Sequence, residues 1–439
     1  MSLKNKLAQL SPEQKQKLLA KLHQKQPNIE TVTAFTKVPL TPSQNRLWFL
    51  EQLNGPSDQY HVPFIIDVNG PLNVAFLELA VKELIASHRV LKTKIEDNSG
   101  EPQQYIDDNA LLSIDHIDTS LPSKMMAYVC APFTLEEGVL ARFGLAQHDE
   151  THFTIAIVIH HIIFDAWSAA LLFDHLISNY QNLLYQTNTA SEPVKYDFID
   201  YAHYLSKNKK SIDVDFWQEK LGTAPVVHSL PLDFERSLNS DNMAESLVSS
   251  ITPTLSDKLS MFAQNSQCAN NIIYTALFMA FIARWGQESD VVLGAPYAHR
   301  ERREFDQALG FFINNMIFRA DLSESKNLID LLAVIKTQQV DNLTQTHTPF
   351  DSVVELINPA RSTLHAPIFQ FCINYQKSSE KQLDFAGLSF SSIEPVASKA
   401  KFDLILTVVE KEQGVFFEFK YSSMIFGTYS FDIEFLFAL

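Results

Sequence analysis

The stretch Ile155-Ala156-Ile157-Val158-Ile159-His160-His161-Ile162-Ile163-Phe164-Asp165-Ala166-Trp167-Ser168 decides how the chain is read. Its opening residues are apolar and mostly β-branched, which predicts a short buried strand. Beyond Asp165 the period changes: Ala169, Leu172, Phe173, Leu176, Ile177, Tyr180 and Leu184 recur at helical spacing. Two adjacent histidines therefore end a strand, and a helix opens a few residues later. Such junctions are common places for chemistry. Neighbours on a strand point to opposite faces, so only one of His160 and His161 can face a given cavity. That argues against both chelating one metal, and no further ligands at zinc spacing stand nearby. Two readings stay open. Both histidines are satisfied core or edge residues, or one is functional beside a structural neighbour. Asp165 has two candidate jobs, as cap of the following helix or as buried partner of a distant cation.

Composition narrows the function classes. Hydrophobic residues make up 46% and charged residues 20% of a 439-residue chain, which is long enough for two ordinary globular domains. A formal charge of -16 argues against nucleic acid or an anionic membrane surface as partner. The run Lys207-Asn208-Lys209-Lys210 reads as a solvated loop. Cys130, Cys268 and Cys372 are far apart and lack CxxC spacing, which suggests a reducing compartment without disulfides. Each reads as a small core residue. No signal peptide and no apolar run of about 18 residues is present, so a cytoplasmic location is expected.

In chain order, residues 1–37 stand apart. Ser11 caps a short lysine-rich helix with Pro12 at its first position, and Gln26 to Val38 reads as a linker. Residues 38–205 form a first lobe and residues 206–439 a second, with a polar stretch from Ser206 to Ser211 at the boundary. Helices are expected after Pro42, over Val74 to Ser87 and over Ile272 to Trp285. Strands are expected over Tyr60 to Val68, Phe153 to Ile159 and Asp290 to Pro296.

His160-His161-Ile162-Ile163-Phe164-Asp165-Ala166 resembles the HHxxxDG signature of condensation domains from non-ribosomal peptide synthetases, with Ala166 in the glycine position. Other stretches follow in that family's order. Leu40 to Leu53 resembles the SxAQxRLWxL element, in wording similar to the subtype that accepts an L-configured donor. Ser87 to Thr93 resembles RHExLRT, departing at Ser87, Arg89 and Lys92. Phe198 to Tyr204 resembles YxDYAxW, and Gly294 to Arg300 the G-x-P-x-x-x-R run. Gly310 to Arg319 resembles G-x-F-V-N-T-x-x-x-R. Thr346 to Asp351, Pro367 to Phe371 and Lys401 to Leu404 fall where the family has QDxPFE, PLFQV and KFDL.

The resemblance covers the chain from Leu40 onward. It implies an α/β fold of two chloramphenicol-acetyltransferase-like lobes set in a V with a tunnel between them. Donor and acceptor carrier proteins would present substrates on 4'-phosphopantetheine from opposite ends, beside neighbouring synthetase domains. The domain itself would bind no cofactor and no metal. His161 would face the tunnel and act on the amine that attacks a thioester, as proton acceptor or by orienting it. His160 would be structural, and Asp165 would pair with Arg300. Trp167, Ser168 and Asn314 would line the tunnel, with backbone N–H groups at the helix start as oxyanion donors. Cyclisation domains carry DxxxxD in place of the histidines. Epimerisation domains carry an EGHGRE-like element, where this chain has His299 to Glu304 without glycine. Ester formation and a non-catalytic carrier-docking module stay open. A final helix cut short after Ile433 is expected.

Overall fold

A computed structural model describes residues 28–118, 122–187, 194–237, 243–300, 302–323, 327–360, 362–377, 385–393, 398–411 and 413–427. The helix expected at Ser11 and the segment after Ser430 lie outside these residues.

The first half contributes β1 (Val38–Pro39), β2 (His61–Asn69), β3 (Thr93–Asn98), β4 (Glu101–Ile106), β5 (Ile114–His116), β6 (Ala141–Gln147) and β7 (His152–His160). The second contributes β8 (Met243–Ile251), β9 (Asp290–Ala298), β10 (Ile313–Asp321), β11 (Phe371–Lys377), β12 (Ser389–Ile393), β13 (Ser398–Lys399), β14 (Leu404–Lys411) and β15 (Gly414–Ser422). They form a small sheet ordered β1-β4-β3 and two large ones, β12-β2-β7-β6-β5 and β10-β9-β11-β14-β15-β8-β13.

Strand β7 is central in the five-stranded sheet, antiparallel to β2 and β6. Every residue from Phe153 to His160 is buried, which is why the sequence there is a nearly continuous apolar run rather than an alternation. Helices Val74–Ser87 and Ala166–Tyr185 pack on each other and on this core. In the second half, helices Asn270–Gly286 and Leu328–Thr344 pack together beside the seven-stranded sheet.

Two features depart from the expected division. The boundary at 205/206 falls inside the helix Phe198–Lys207. The second half also returns to the first: β12 pairs with β2 from Ser389↔Asn69 to Ile393↔Ile65. This covers an edge that β2 would otherwise leave open to other chains. Phe305, Ala308, Leu309, Phe311 and Phe312 enter the first half's core in the same way.

The segment expected as a linker is irregular but docked between residues 28 and 37. Ile29 and Val32 are buried, the Val32 amide donates to Asp200 Oδ1 at 2.6 Å, and Arg89 donates twice to the Val32 carbonyl. Arg89 thus has its own task at a position where the family has Glu. Of the cysteines, only Cys372 is buried; Cys130 is exposed, contrary to its expected core role.

Candidate active site

Strand β7 ends at His160, and His161 opens a one-turn 3-10 segment through Ile163. The two side chains part because the strand stops between them, not because both lie on it. The His160 ring faces inward and is 1% exposed. Its Nδ1 accepts the Ile162 amide at 3.1 Å, which places the ring hydrogen on Nε2. That nitrogen lies 3.7 Å from Glu51 Oε1, beyond hydrogen-bond reach. Burial holds the His160 pKa below the ordinary value. His160 therefore shapes the turn.

His161 is half-buried. Its amide donates to the Tyr60 carbonyl at 2.8 Å, and its Nδ1 lies 2.6 Å from the Phe164 carbonyl. A carbonyl only accepts, so Nδ1 carries the hydrogen and Nε2 the lone pair. The Phe311 ring, from the second half, stands edge-on at 4.9 Å. Burial first, and then the Lys401 ammonium, lower the His161 pKa to about 3. At neutral pH this is an uncharged imidazole with a lone pair on Nε2.

Asp165 performs both candidate jobs. Oδ1 accepts the Ser168 amide at 2.8 Å and so caps the helix Ala166–Tyr185. Arg300 approaches the same oxygen at 3.5 Å, with both side chains almost fully buried. That is long for an ion pair, and Arg300 makes shorter bonds to the carbonyls of Phe305 at 2.6 Å and Ala308 at 2.8 Å. Its guanidinium also stacks 3.8 Å from the Phe312 ring. Arg300 is thus the pin that folds the 303–312 loop onto the histidine turn.

Ala166 is the first residue of the helix, with ordinary negative φ, and is exposed. The chain needs no glycine there. Trp167 is 50% exposed and anchors the same loop, donating from Nε1 to the Asp306 carbonyl at 3.1 Å. Ser168 corrects an expectation. It is fully buried, its amide is taken by Asp165, and its hydroxyl bonds Asp165 Oδ1 at 2.7 Å and the Gly310 carbonyl at 3.0 Å. Its N–H is therefore not free to receive an oxyanion, and its side chain lines no passage. Asn314 likewise spends its side chain on scaffold. Nδ2 donates to the carbonyls of Thr346 and Thr348, and Oδ1 accepts the amides of Phe350 and Asn315.

Two residues enter with a role that sequence reasoning did not give them. Gln44 is fully buried, and its Nε2 donates to the Ile162 carbonyl at 3.0 Å and to Gln104. It holds the histidine turn from the side of the helix Pro42–Asn54, whose N-terminus it also closes with Thr41. Lys401 sits 5.7 Å over the Tyr60 ring. Both stand in stretches that match the family, but their roles depend on contacts remote in sequence. Among the described residues no group of His, Cys, Asp and Glu could hold a metal ion, and no helix is long and apolar enough to cross a membrane.

Comparison with known proteins adds three findings. A family model described as "Condensation domain" matches residues 35–431. Among curated relatives, malpinin synthetase of Mortierella alpina is 27% identical over 420 residues, which is 92% of this chain and 5% of that protein. The dimodular nonribosomal peptide synthase of Bacillus subtilis is 26% identical over 388 residues, 85% of this chain and 16% of the relative. The chain thus spans a small part of these two relatives. Among solved structures, the X-domain in its complex with OxyB from teicoplanin biosynthesis superposes with a TM-score of 0.81 at 21% identity, covering 92% of each chain. The mixed α/β architecture is the chloramphenicol-acetyltransferase-like fold of condensation-domain structures.

Proposed function

Because this chain belongs to the condensation-domain family of non-ribosomal peptide synthetases, we propose that it forms an amide bond between two carrier-bound substrates. The donor is an acyl or peptidyl thioester, L-configured at its reacting residue. The acceptor is the amine of an aminoacyl thioester. Both ride on the 4'-phosphopantetheine arms of carrier proteins in a cytoplasmic synthetase. The two halves stand in a V, and the arms meet in the passage between them at His161.

The observation that carries this reading is the imidazole of His161, with Nδ1–H fixed on the Phe164 carbonyl and Nε2 presenting a lone pair. The amine nitrogen attacks the thioester carbonyl carbon, and the carbonyl π electrons move to oxygen. Collapse of the tetrahedral intermediate expels the donor thiolate, which takes up the amine proton that Nε2 of His161 has accepted. With its pKa at about 3, the resting imidazole accepts a hydrogen bond far more readily than a whole proton. Full transfer from an α-ammonium near 8 would cost roughly 7 kcal/mol, at 1.36 kcal/mol per unit. Nε2 therefore orients the amine first, and takes the proton only once negative charge has built up on the substrate oxygen.

The test is direct. The chain is mixed with a donor carrier bearing an acyl-aminoacyl group and an acceptor carrier bearing an amino acid. Intact-mass spectrometry of the acceptor carrier should show the donor acyl group added. Carriers that bind the chain across a panel of loaded groups without transfer would make it a docking module instead.

A further inference from the structure

The helix Pro42–Asn54 buries Gln44, Leu47 and Glu51. Residues seven apart span about two turns, so Gln44 and Glu51 lie on one face. That face meets the histidine turn: Gln44 reaches the Ile162 carbonyl at 3.0 Å, and Glu51 Oε1 comes within 3.7 Å of His160 Nε2. We propose that Glu51 is a positioning residue, whose carboxylate keeps the ring hydrogen of His160 on Nε2 and so fixes the turn that presents His161. The inference rests on the condensation reading above.

The contact is isolated. Glu51 is 6% exposed and His160 1%. Neither Oε1 of the one nor Nε2 of the other has a hydrogen-bond partner among the described residues. The His160 ring is bordered by the rings of Phe133, Tyr60 and His61, with centroids 6.0, 6.3 and 6.4 Å away. At 3.7 Å the contact is too long for a full hydrogen bond. In such a buried setting, however, the attraction between a carboxylate and an N–H dipole is little screened.

The ring itself is neutral, because burial lowers its pKa more than the Glu51 carboxylate raises it. A neutral imidazole carries its hydrogen on one nitrogen, and the partners of the two nitrogens decide which. With the hydrogen on Nε2, the N–H is attracted to Glu51, and Nδ1 keeps a lone pair for the Ile162 amide, 3.1 Å away. With the hydrogen on Nδ1, two donors would meet at Ile162 and a lone pair would stand against the carboxylate. Both contacts would then repel, and the turn would open. Ile162 directly follows His161. Its amide is held by His160 and its carbonyl by Gln44. What Glu51 does to His160 is thus passed to the imidazole that meets the amine.

Rates of amide formation and imidazole 15N NMR spectra of the wild type, Glu51→Leu and Glu51→Gln test this, with His160→Gln assigning the His160 signals. In the wild type, Nδ1 of His160 should be the bare nitrogen. Glu51→Leu should shift hydrogen onto Nδ1 and lose roughly 100-fold in kcat, the cost of misplacing a reacting group by about 1 Å, with acceptor KM nearly unchanged. Its melting temperature should hold or rise, since an apolar side chain replaces a buried carboxylate and the neutral His160 leaves no charge behind. A merely structural residue would lose stability and rate together. Glu51→Gln keeps an oxygen at the same reach and should recover most of the lost rate, with the hydrogen back on Nε2. A wild-type kcat or an unchanged His160 tautomer in Glu51→Leu, or a Glu51→Gln chain as slow as Glu51→Leu, overturns the proposal. If Glu51→Leu fails to fold, the wild-type ring decides: hydrogen on Nε2 supports the proposal and hydrogen on Nδ1 contradicts it. If the wild type itself transfers nothing, the condensation reading has failed, and the tautomers alone judge Glu51.

Discussion

The carboxylate of Asp165 accepts the backbone amide of Phe312 through Oδ2 at 3.1 Å, across 147 residues of sequence. Its other oxygen caps the helix that follows the histidine turn. One side chain thus fixes the end of β7, the start of the helix and the approach to β10. Arg300, 3.5 Å away, pins the loop in between rather than serving chiefly as an ion-pair partner.

This ranking predicts an order of stabilities. Asp165→Ala leaves a buried guanidinium without its carboxylate and should cost about 3–5 kcal/mol. Asp165→Asn keeps an acceptor for the Ser168 amide and should cost less, about 1–3 kcal/mol. Urea unfolding of the two variants checks it; equal losses would mean that charge, not the cap, decides.

Stability should also fall in mild acid. His88 is 1% exposed and its Nε2 lies 2.7 Å from His175 Nδ1. Burial lowers its pKa to about 3, while the unfolded chain returns it to about 6.5. Between those values the unfolded state binds more protons, so stability is full above the unfolded pKa and declines as pH falls below it. From pH 7 to pH 5 this residue alone should account for about 2 kcal/mol. Urea midpoints at the two pH values, in wild type and in His88→Gln, measure it. An unchanged pH slope in the variant would refute the assignment.

Gly310 is held by close approach. A Cβ there would meet the Phe198 ring at 2.3 Å, while the Gly310 amide and carbonyl both bond the Ser168 hydroxyl. Gly310→Ala should cost about 1–3 kcal/mol through overpacking and loosen the loop beside His161. Adding Phe198→Leu should return part of the melting temperature lost. A further loss on adding it would place the strain elsewhere.

Much of this was legible in the sequence, and the reasons differ by residue. The change from a β-branched run to helical spacing located the histidine turn, because local periodicity reports local structure. Helix Val74–Ser87 matches its expected bounds, with Asn73 capping it. Strand β12 was missed. Its Ser389, Ser391 and Ser392 face solvent at a sheet edge, so it lacks the apolar alternation that marks a strand. Ser168 and Asn314 were placed on the tunnel by their positions in stretches that resemble the family's motifs. Their hydrogen bonds to Gly310, Thr346 and Thr348 depend on how distant segments pack. Gln44 was hidden for the same reason: it holds the histidine turn from a segment far away in sequence.

The proposed chemistry stands on a division of labour, in which Nε2 of His161 meets the amine while His160 only shapes the turn. It is measured by the rate of amide formation between loaded carriers for His161→Ala and His160→Ala, with unfolding followed on both. His161→Ala should keep the wild-type melting temperature and lose roughly 100- to 10,000-fold in rate. His160→Ala should lower the melting temperature first. A His161→Ala chain that still condenses at the wild-type rate would contradict the division.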